Sequence, residues 1–131
     1  MTQCPDYLLQ AARDAMTHAY APYSHFKVGA ACQTTDGVIY SGCNIENVSY
    51  GLTNCAERTA LFSAVSAGKT KFTDLVVVAN TEKPISPCGA CRQVLSEFFD
   101  NQTAIWLVSQ DTVITRTTIA QLLPSAFTCL H

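Results

Sequence analysis

Residues 74–80 read Asp-Leu-Val-Val-Val-Ala-Asn, DLVVVAN. An unbroken apolar run rich in β-branched residues shows no polar alternation, so it reads as a strand covered on both faces, central in its sheet. Such a strand needs helices packed on either side of the sheet, and the flanking sequence supplies them. Downstream, Pro84 and Pro87 bracket a loop that delivers Cys88 to the start of a helix on which Cys91, Val94, Leu95 and Phe98 share a face. Upstream, Ala56, Ala60, Leu61, Ala64 and Val65 recur with helical period from about Cys55 to Ala67, and Gly68 is placed to end that helix.

Further out, Leu8, Ala12, Ala15, Met16 and Ala19 form one apolar stripe and predict a helix over 6–20, stopped by Ala21-Pro22. The stretch 23–47, YSHFKVGAACQTTDGVIYSGCNIEN, reads as a β-hairpin turning at Asp36-Gly37. Gly29 and Gly42 inside its arms predict bulges or close backbone approaches. Residues 104–109 and 112–116 read as strands, and the segment TIAQLL, 118–123, as a short helix. The order helix, hairpin, helix, strand, helix, strands predicts an α/β fold with helices on both faces of the sheet. No repeat, linker or low-complexity stretch interrupts it, and 131 residues suit one domain, 1–131, with a core of its own.

Hydrophobic residues make up 48% of the chain and charged ones 14%, a sparsely charged surface that predicts an oligomer. The formal net charge is -2 and no Lys/Arg cluster occurs, which argues against nucleic acid and for a small neutral partner. No basic start followed by a long apolar run is present, and Leu75–Ala79 is far too short to span a bilayer, so no membrane partner is predicted. Seven cysteines with a C-x-x-C pair, in a chain lacking a secretion signal, read as metal or redox chemistry and place the protein in the cytoplasm.

The chemistry-bearing residues are Cys55 in NCAERTA and Cys88 and Cys91 in SPCGACRQ. Three soft ligands are one fewer than a closed structural zinc site uses, which leaves the fourth position for water. Glu57 then stands beside that position as a carboxylate able to move protons to and from the water. Ideal helix geometry does not aim it there, because residues two apart diverge by roughly 200°, and a solvated carboxylate that stabilises the first helical turn is the alternative. Three thiolates give the zinc centre a net charge of about -1, which opposes ionisation of the water. Two helix N-termini and Arg58, within reach of the thiolates, are the counterweights. Cys4, Cys32, Cys43 and Cys129, and His18, His25 and His131, show no ligand spacing and read as structural or exposed. The plain alternative for the three thiols is burial without metal. Another is a non-catalytic domain whose zinc ties two helices together, but no further residue is spaced to complete its shell.

Taken with YSHFKVGAA, GCNIENVSYG, CAERTA, SPCGACRQV and QLLPSAF, the chain resembles the small tetrameric, zinc-dependent cytidine deaminases over nearly its whole length. The resemblance implies a three-layer α/β/α sandwich on a mixed sheet of about five strands. It implies one Zn2+ per subunit on Cys55, Cys88 and Cys91, with Glu57 as proton shuttle, and a nucleoside substrate, cytidine or deoxycytidine. Asn44 and Glu46 match positions that hold the ribose 3′-hydroxyl, Phe26 the aromatic that packs on the pyrimidine, and the backbone at Ala56 the contact to the base carbonyl. Tyr50 and Phe127 match positions that reach a neighbouring subunit's pocket, implying a homotetramer with shared active sites. Lys27 stands where the family usually has proline. Residue physics alone supports part of this: Asn44 and Glu46, two apart on an extended segment, point the same way. Without the match they read as turn residues, and Phe26, Tyr50 and Phe127 as packing.

Overall fold

The computed structural model describes residues 3–128, so Cys129 and His131 lie outside the described residues. The elements are α1 (Asp6–Met16), β1 (Val28–Thr34), β2 (Ile39–Cys43), α2 (Ala56–Ser66), β3 (Phe72–Ala79), α3 (Gly89–Phe98), β4 (Ala104–Val108), β5 (Ile114–Thr117) and α4 (Ile119–Leu122), with a 3-10 turn at Tyr50–Leu52. One sheet runs β2-β1-β3-β4-β5, with β3 in the middle as its unbroken apolar run requires. β3 and β4 are parallel and the other pairs antiparallel, giving the mixed five-stranded sheet.

Side chains alternate across β3. Leu75, Val77 and Ala79 join Leu61, Leu95 and Ile119 on one face, under α2, α3 and α4. Val76 and Val78 join Leu8 and Ala12 of α1 and Trp106 of β4 on the other. Three α/β/α layers result. Because β3 and β4 are joined through α3, the start of α3 lies past the carboxyl end of β3, where open parallel sheets carry their sites.

Gly29 and Gly42 are close approaches and not bulges, since the β1–β2 register passes through both without a shift. A Cβ at Gly29 would stand 2.1 Å from the Ala12 carbonyl oxygen and 2.7 Å from the Met16 nitrogen, so α1 lies directly on the β1 backbone. At Gly42 it would stand 2.6 Å from the Ala60 nitrogen of α2. Gly29→Ala is expected to destabilise the fold by about 2–3 kcal/mol through overpacking, read as a fall in the urea midpoint. An unchanged midpoint would show that α1 does not need this contact.

The helix expected over 6–20 ends early, at Met16. The Thr17 hydroxyl donates back to the Asp14 carbonyl at 2.6 Å, and the chain then leaves the helix to pair with the segment after β2. There the Tyr20 N–H donates to the Asn44 carbonyl at 3.0 Å and Glu46 N–H to the Tyr20 carbonyl at 2.8 Å. Pairing across the chain thus overrides the helical period that Ala19 continues. The last strand starts at Ile114, not 112, because Thr112 takes a left-handed φ of 64° in the turn that returns the chain from β4.

Candidate active site

Cys55 and Cys88 are each the extended residue immediately before a helix, α2 and α3 respectively, and Cys91 is the third residue of α3. The Sγ atoms of Cys55 and Cys88 are 3.7 Å apart, those of Cys88 and Cys91 3.5 Å, and all three lie within 4.8 Å of one another. Thiolates at about 2.3 Å from a tetrahedral zinc would be separated by about 3.8 Å, so the cluster has the dimensions of three corners of such a site. Burial is graded: Cys91 is fully enclosed, Cys55 is half-buried and Cys88 faces outward. That leaves one side of the cluster open to a cavity. Among the described residues this is the group of His, Cys, Asp and Glu with ligand spacing. The donor chemistry and the spacing both fit zinc.

The neighbouring Cys91 thiol, then Arg58 and Cys88, favour the thiolate of Cys55 and hold it well below the usual thiol range against the cost of burial. The Cys91 thiol is pushed far above the usual thiol range by the neighbouring Cys55 thiolate and by its enclosure. Arg58, the third residue of α2, donates from Nη2 to Cys55 Sγ at 3.4 Å, and this contact raises the guanidinium pKa further. Its Nε is buried and has no hydrogen-bond partner among the described residues. Arg58→Ala is expected to weaken zinc binding about 10- to 100-fold, measured by chelator competition. Unchanged zinc retention would remove Arg58 from the charge balance.

Glu57 lies 4% exposed in the wall of the cavity that also takes in Cys55 and Cys88. Ideal helical spacing does not predict this. Cys55 precedes the helix with φ -77° and ψ 157°, so the 200° divergence of two helical residues does not apply between it and Glu57. Burial above all lifts the Glu57 carboxyl to about 7, with the charge on Cys55 adding to the effect.

The cavity has a volume of about 210 Å³ and is lined besides by Phe26, Val28, Asn44, Glu46, Thr53, Ala56, Ile85 and Ser86. Its apolar wall and few polar groups are those of a small-molecule site. Asn44 and Glu46 both reach it, as their alternation on an extended segment predicts, but neither side chain is a free arm. Asn44 Oδ1 accepts the Val28 N–H at 2.9 Å and its Nδ2 donates to the Phe26 carbonyl at 2.7 Å. Glu46 Oε1 accepts the N–H groups of Tyr23 and Ser24 at 3.0 and 3.1 Å, and its Oε2 accepts the Ser24 hydroxyl. These two residues therefore hold the segment that presents Phe26, and the donors pull the Glu46 pKa below the usual carboxylate range, Ser24 first.

Val28, Thr53, Ile85 and Ser86 in the lining, and Ser24 and Asn80 beside it, are the residues that sequence reasoning did not nominate. Asn80 Oδ1 accepts the Lys27 N–H at 3.1 Å, a bond that a proline at this position could not make. A serine two residues before Phe26 is a local signal for a side-chain-to-backbone turn, but Asn80 carries no such sign. Tyr50 lies in the 3-10 turn, 77% exposed, edge-on to Tyr23 at 6.4 Å, in a neighbouring hollow of about 420 Å³ that shares Glu46 and Thr53 with the cavity. Phe127 is 64% exposed, away from the lining of its own chain's cavity, with its carbonyl accepting the Gln93 amide at 2.9 Å. Cys4 and Cys32 are buried thiols, pushed up to about 11 and about 12 by burial, in keeping with structural roles.

Residues 2–107 match the family model described as cytidine and deoxycytidylate deaminase zinc-binding region. The chain is 54% identical over 120 residues to the cytidine deaminase of Sporosarcina psychrophila, covering 92% of this chain and 88% of that protein. It is 33% identical over 129 residues to the blasticidin-S deaminase of Bacillus cereus, covering 92% and 90%. Among solved structures, cytidine deaminase from Burkholderia pseudomallei superposes with a TM-score of 0.91 at 50% identity, covering 95% of this chain and 100% of that one.

Proposed function

The chain belongs to the zinc-binding cytidine and deoxycytidylate deaminase family, and from that premise we propose that it hydrolyses cytidine and deoxycytidine to uridine and deoxyuridine with release of ammonia. The observation that carries the reading is the open thiol cluster sharing one small cavity with a buried carboxyl. Cys55, Cys88 and Cys91 would hold the zinc, which when bound would supply an activated water. Glu57 takes a proton from a water in the cavity and gives it to the ring nitrogen as the water's oxygen bonds to the amino-bearing carbon; it then takes the remaining proton of that oxygen and gives it to the amine, so that the carbon–nitrogen bond breaks, ammonia leaves and the oxygen becomes the carbonyl of uridine. Water and cytidine in, uridine and ammonia out, balance the step. Ala56 opens α2, where the first backbone N–H groups lack an intrahelical acceptor, and this start of the helix receives the base carbonyl. Phe26 faces the pyrimidine, while Glu46 and Asn44 take the ribose hydroxyl at the cavity mouth.

Residues 1–131 act as one catalytic domain in this reading. We assign the working form as a homotetramer in which Tyr50 and Phe127 complete a neighbouring subunit's pocket. Supporting this, Val48, Tyr50, Leu52 and Phe127 are 77%, 77%, 72% and 64% exposed, apolar surface of a kind that partner chains cover. Free thiols at Cys4, Cys32, Cys43, Cys55, Cys88 and Cys91 suit a reducing compartment, and we place the enzyme in the cytoplasm, in pyrimidine nucleoside salvage. No helix among the described residues is long and apolar enough to cross a membrane. The deciding experiment follows the ultraviolet change of cytidine with the zinc-loaded protein, with and without chelator, beside blasticidin S. Turnover of blasticidin S and not of cytidine would overturn the substrate assignment.

A further inference from the structure

The Glu46 carboxylate is held by three donors, all from residues 23–24, and one of them leads further. The Ser24 hydroxyl donates to Glu46 Oε2, and its oxygen accepts the Phe26 N–H at 3.0 Å. A serine hydroxyl has one hydrogen and two lone pairs, so spending the hydrogen on the carboxylate leaves the oxygen free to accept, and the direction of both bonds is fixed. Between the two residues His25 sits at φ 59°, a left-handed conformation that a non-glycine residue adopts only when its surroundings impose it. The bond from Phe26 N–H to Ser24 Oγ closes the turn around that residue. On the opposite side of Phe26, Asn44 Nδ2 holds its carbonyl at 2.7 Å.

We propose that Ser24 is a positioning residue that couples the carboxylate taking the sugar hydroxyl to the aromatic facing the base, so that each part of a nucleoside strengthens the grip on the other. The inference rests on the assignment of Glu46 and Phe26 given above. A hydroxyl group donated to Glu46 from the cavity leans on a carboxylate already tied through Ser24 to the Phe26 backbone. Removing the Ser24 hydroxyl frees one carboxylate oxygen and one end of Phe26, and it relaxes the left-handed turn between them. The thiols and Glu57 belong to α2 and α3 and to the residues that open them, so the groups that do the chemistry stay in place.

The effect therefore falls on KM. For Ser24→Ala we expect the KM for cytidine to rise about tenfold, the worth of one hydrogen bond to a charged group, with kcat within about twofold and zinc content unchanged. Ser24→Thr, which keeps the hydroxyl, recovers most of the loss. On 2′,3′-dideoxycytidine, which has no hydroxyl for Glu46, Ser24→Ala raises KM by about threefold or less. An unchanged KM in Ser24→Ala, no recovery in Ser24→Thr, an equal factor on both nucleosides, or a loss confined to kcat and zinc content would each overturn the inference while leaving the activity assigned. A zinc-loaded wild type inert to cytidine would remove the assignment and the inference together.

Discussion

Replacing Glu57 by glutamine is expected to lower turnover of cytidine about 10³-fold or more while zinc content and fold are retained. The reaction needs a proton taken from water, placed on the ring and then on the departing amine. Of the titratable groups lining the cavity, Glu46 is held as a carboxylate by the Tyr23 and Ser24 donors, and Cys55 and Cys88 belong to the thiol cluster. Glu57 alone is placed by its burial to exist in both protonation states near neutral pH. A group so tuned contributes roughly 10²- to 10⁴-fold as a general acid and base, and here it acts more than once in a single turnover. Glutamine fills the same space in the wall and makes no new cavity, so the melting temperature and the bound zinc, measured by metal analysis, should match those of the wild type. Turnover near the wild-type rate would remove Glu57 from the mechanism. A parallel fall in zinc would show it acting through the metal ligands.

Much of this site is legible in the sequence, because its parts are spelled locally. The unbroken run Leu75–Ala79 predicts a central strand, and β3 is the middle strand of five. The spacing of Cys88 and Cys91 puts two thiols on one side of a helix start, and Cys55, nominated with them, does come from the start of another. Gly29 and Gly42 signal bulges or close backbone approach, and the second holds, since the helices lie against them. What could not be read depends on contacts between distant segments. α1 stops at Met16 because residues 20 and 44–46 pair, an energy that helical periodicity does not contain. Glu57 turns toward the thiols because Cys55 is extended, a matter of one residue's backbone angles. Asn44 and Glu46 point the same way, as alternation requires, yet their hydrogen bonds go inward to Val28, Phe26, Tyr23 and Ser24. Side-chain direction follows from the pattern, but the choice of partner depends on which loop lies opposite.

Cys88→Ala is expected to abolish zinc binding and turnover together. Of the three thiols Cys88 is the outward-facing one, so its truncation opens no void in the core, in contrast to Cys91, which is fully buried. What it removes is a corner of the cluster within 3.7 Å of both other sulfurs. Two thiols are too few to hold zinc against water and chelators, so bound metal should fall to about a tenth of an equivalent or less. A ligand that binds only the folded state stabilises it by RT ln(1 + [L]/Kd), about 4 kcal/mol at 1,000 times Kd, so the loss of zinc lowers the melting temperature as well. Chelator-treated wild type provides the control. It should melt where Cys88→Ala melts and recover when zinc is added, while the variant should not respond. Cys91→Ala should melt lower than either, because it loses buried packing in addition to the metal. If Cys88→Ala instead kept a full equivalent of zinc, the sulfur at the mouth of the cavity would not be a ligand, and the open side of the cluster would have to be sought elsewhere.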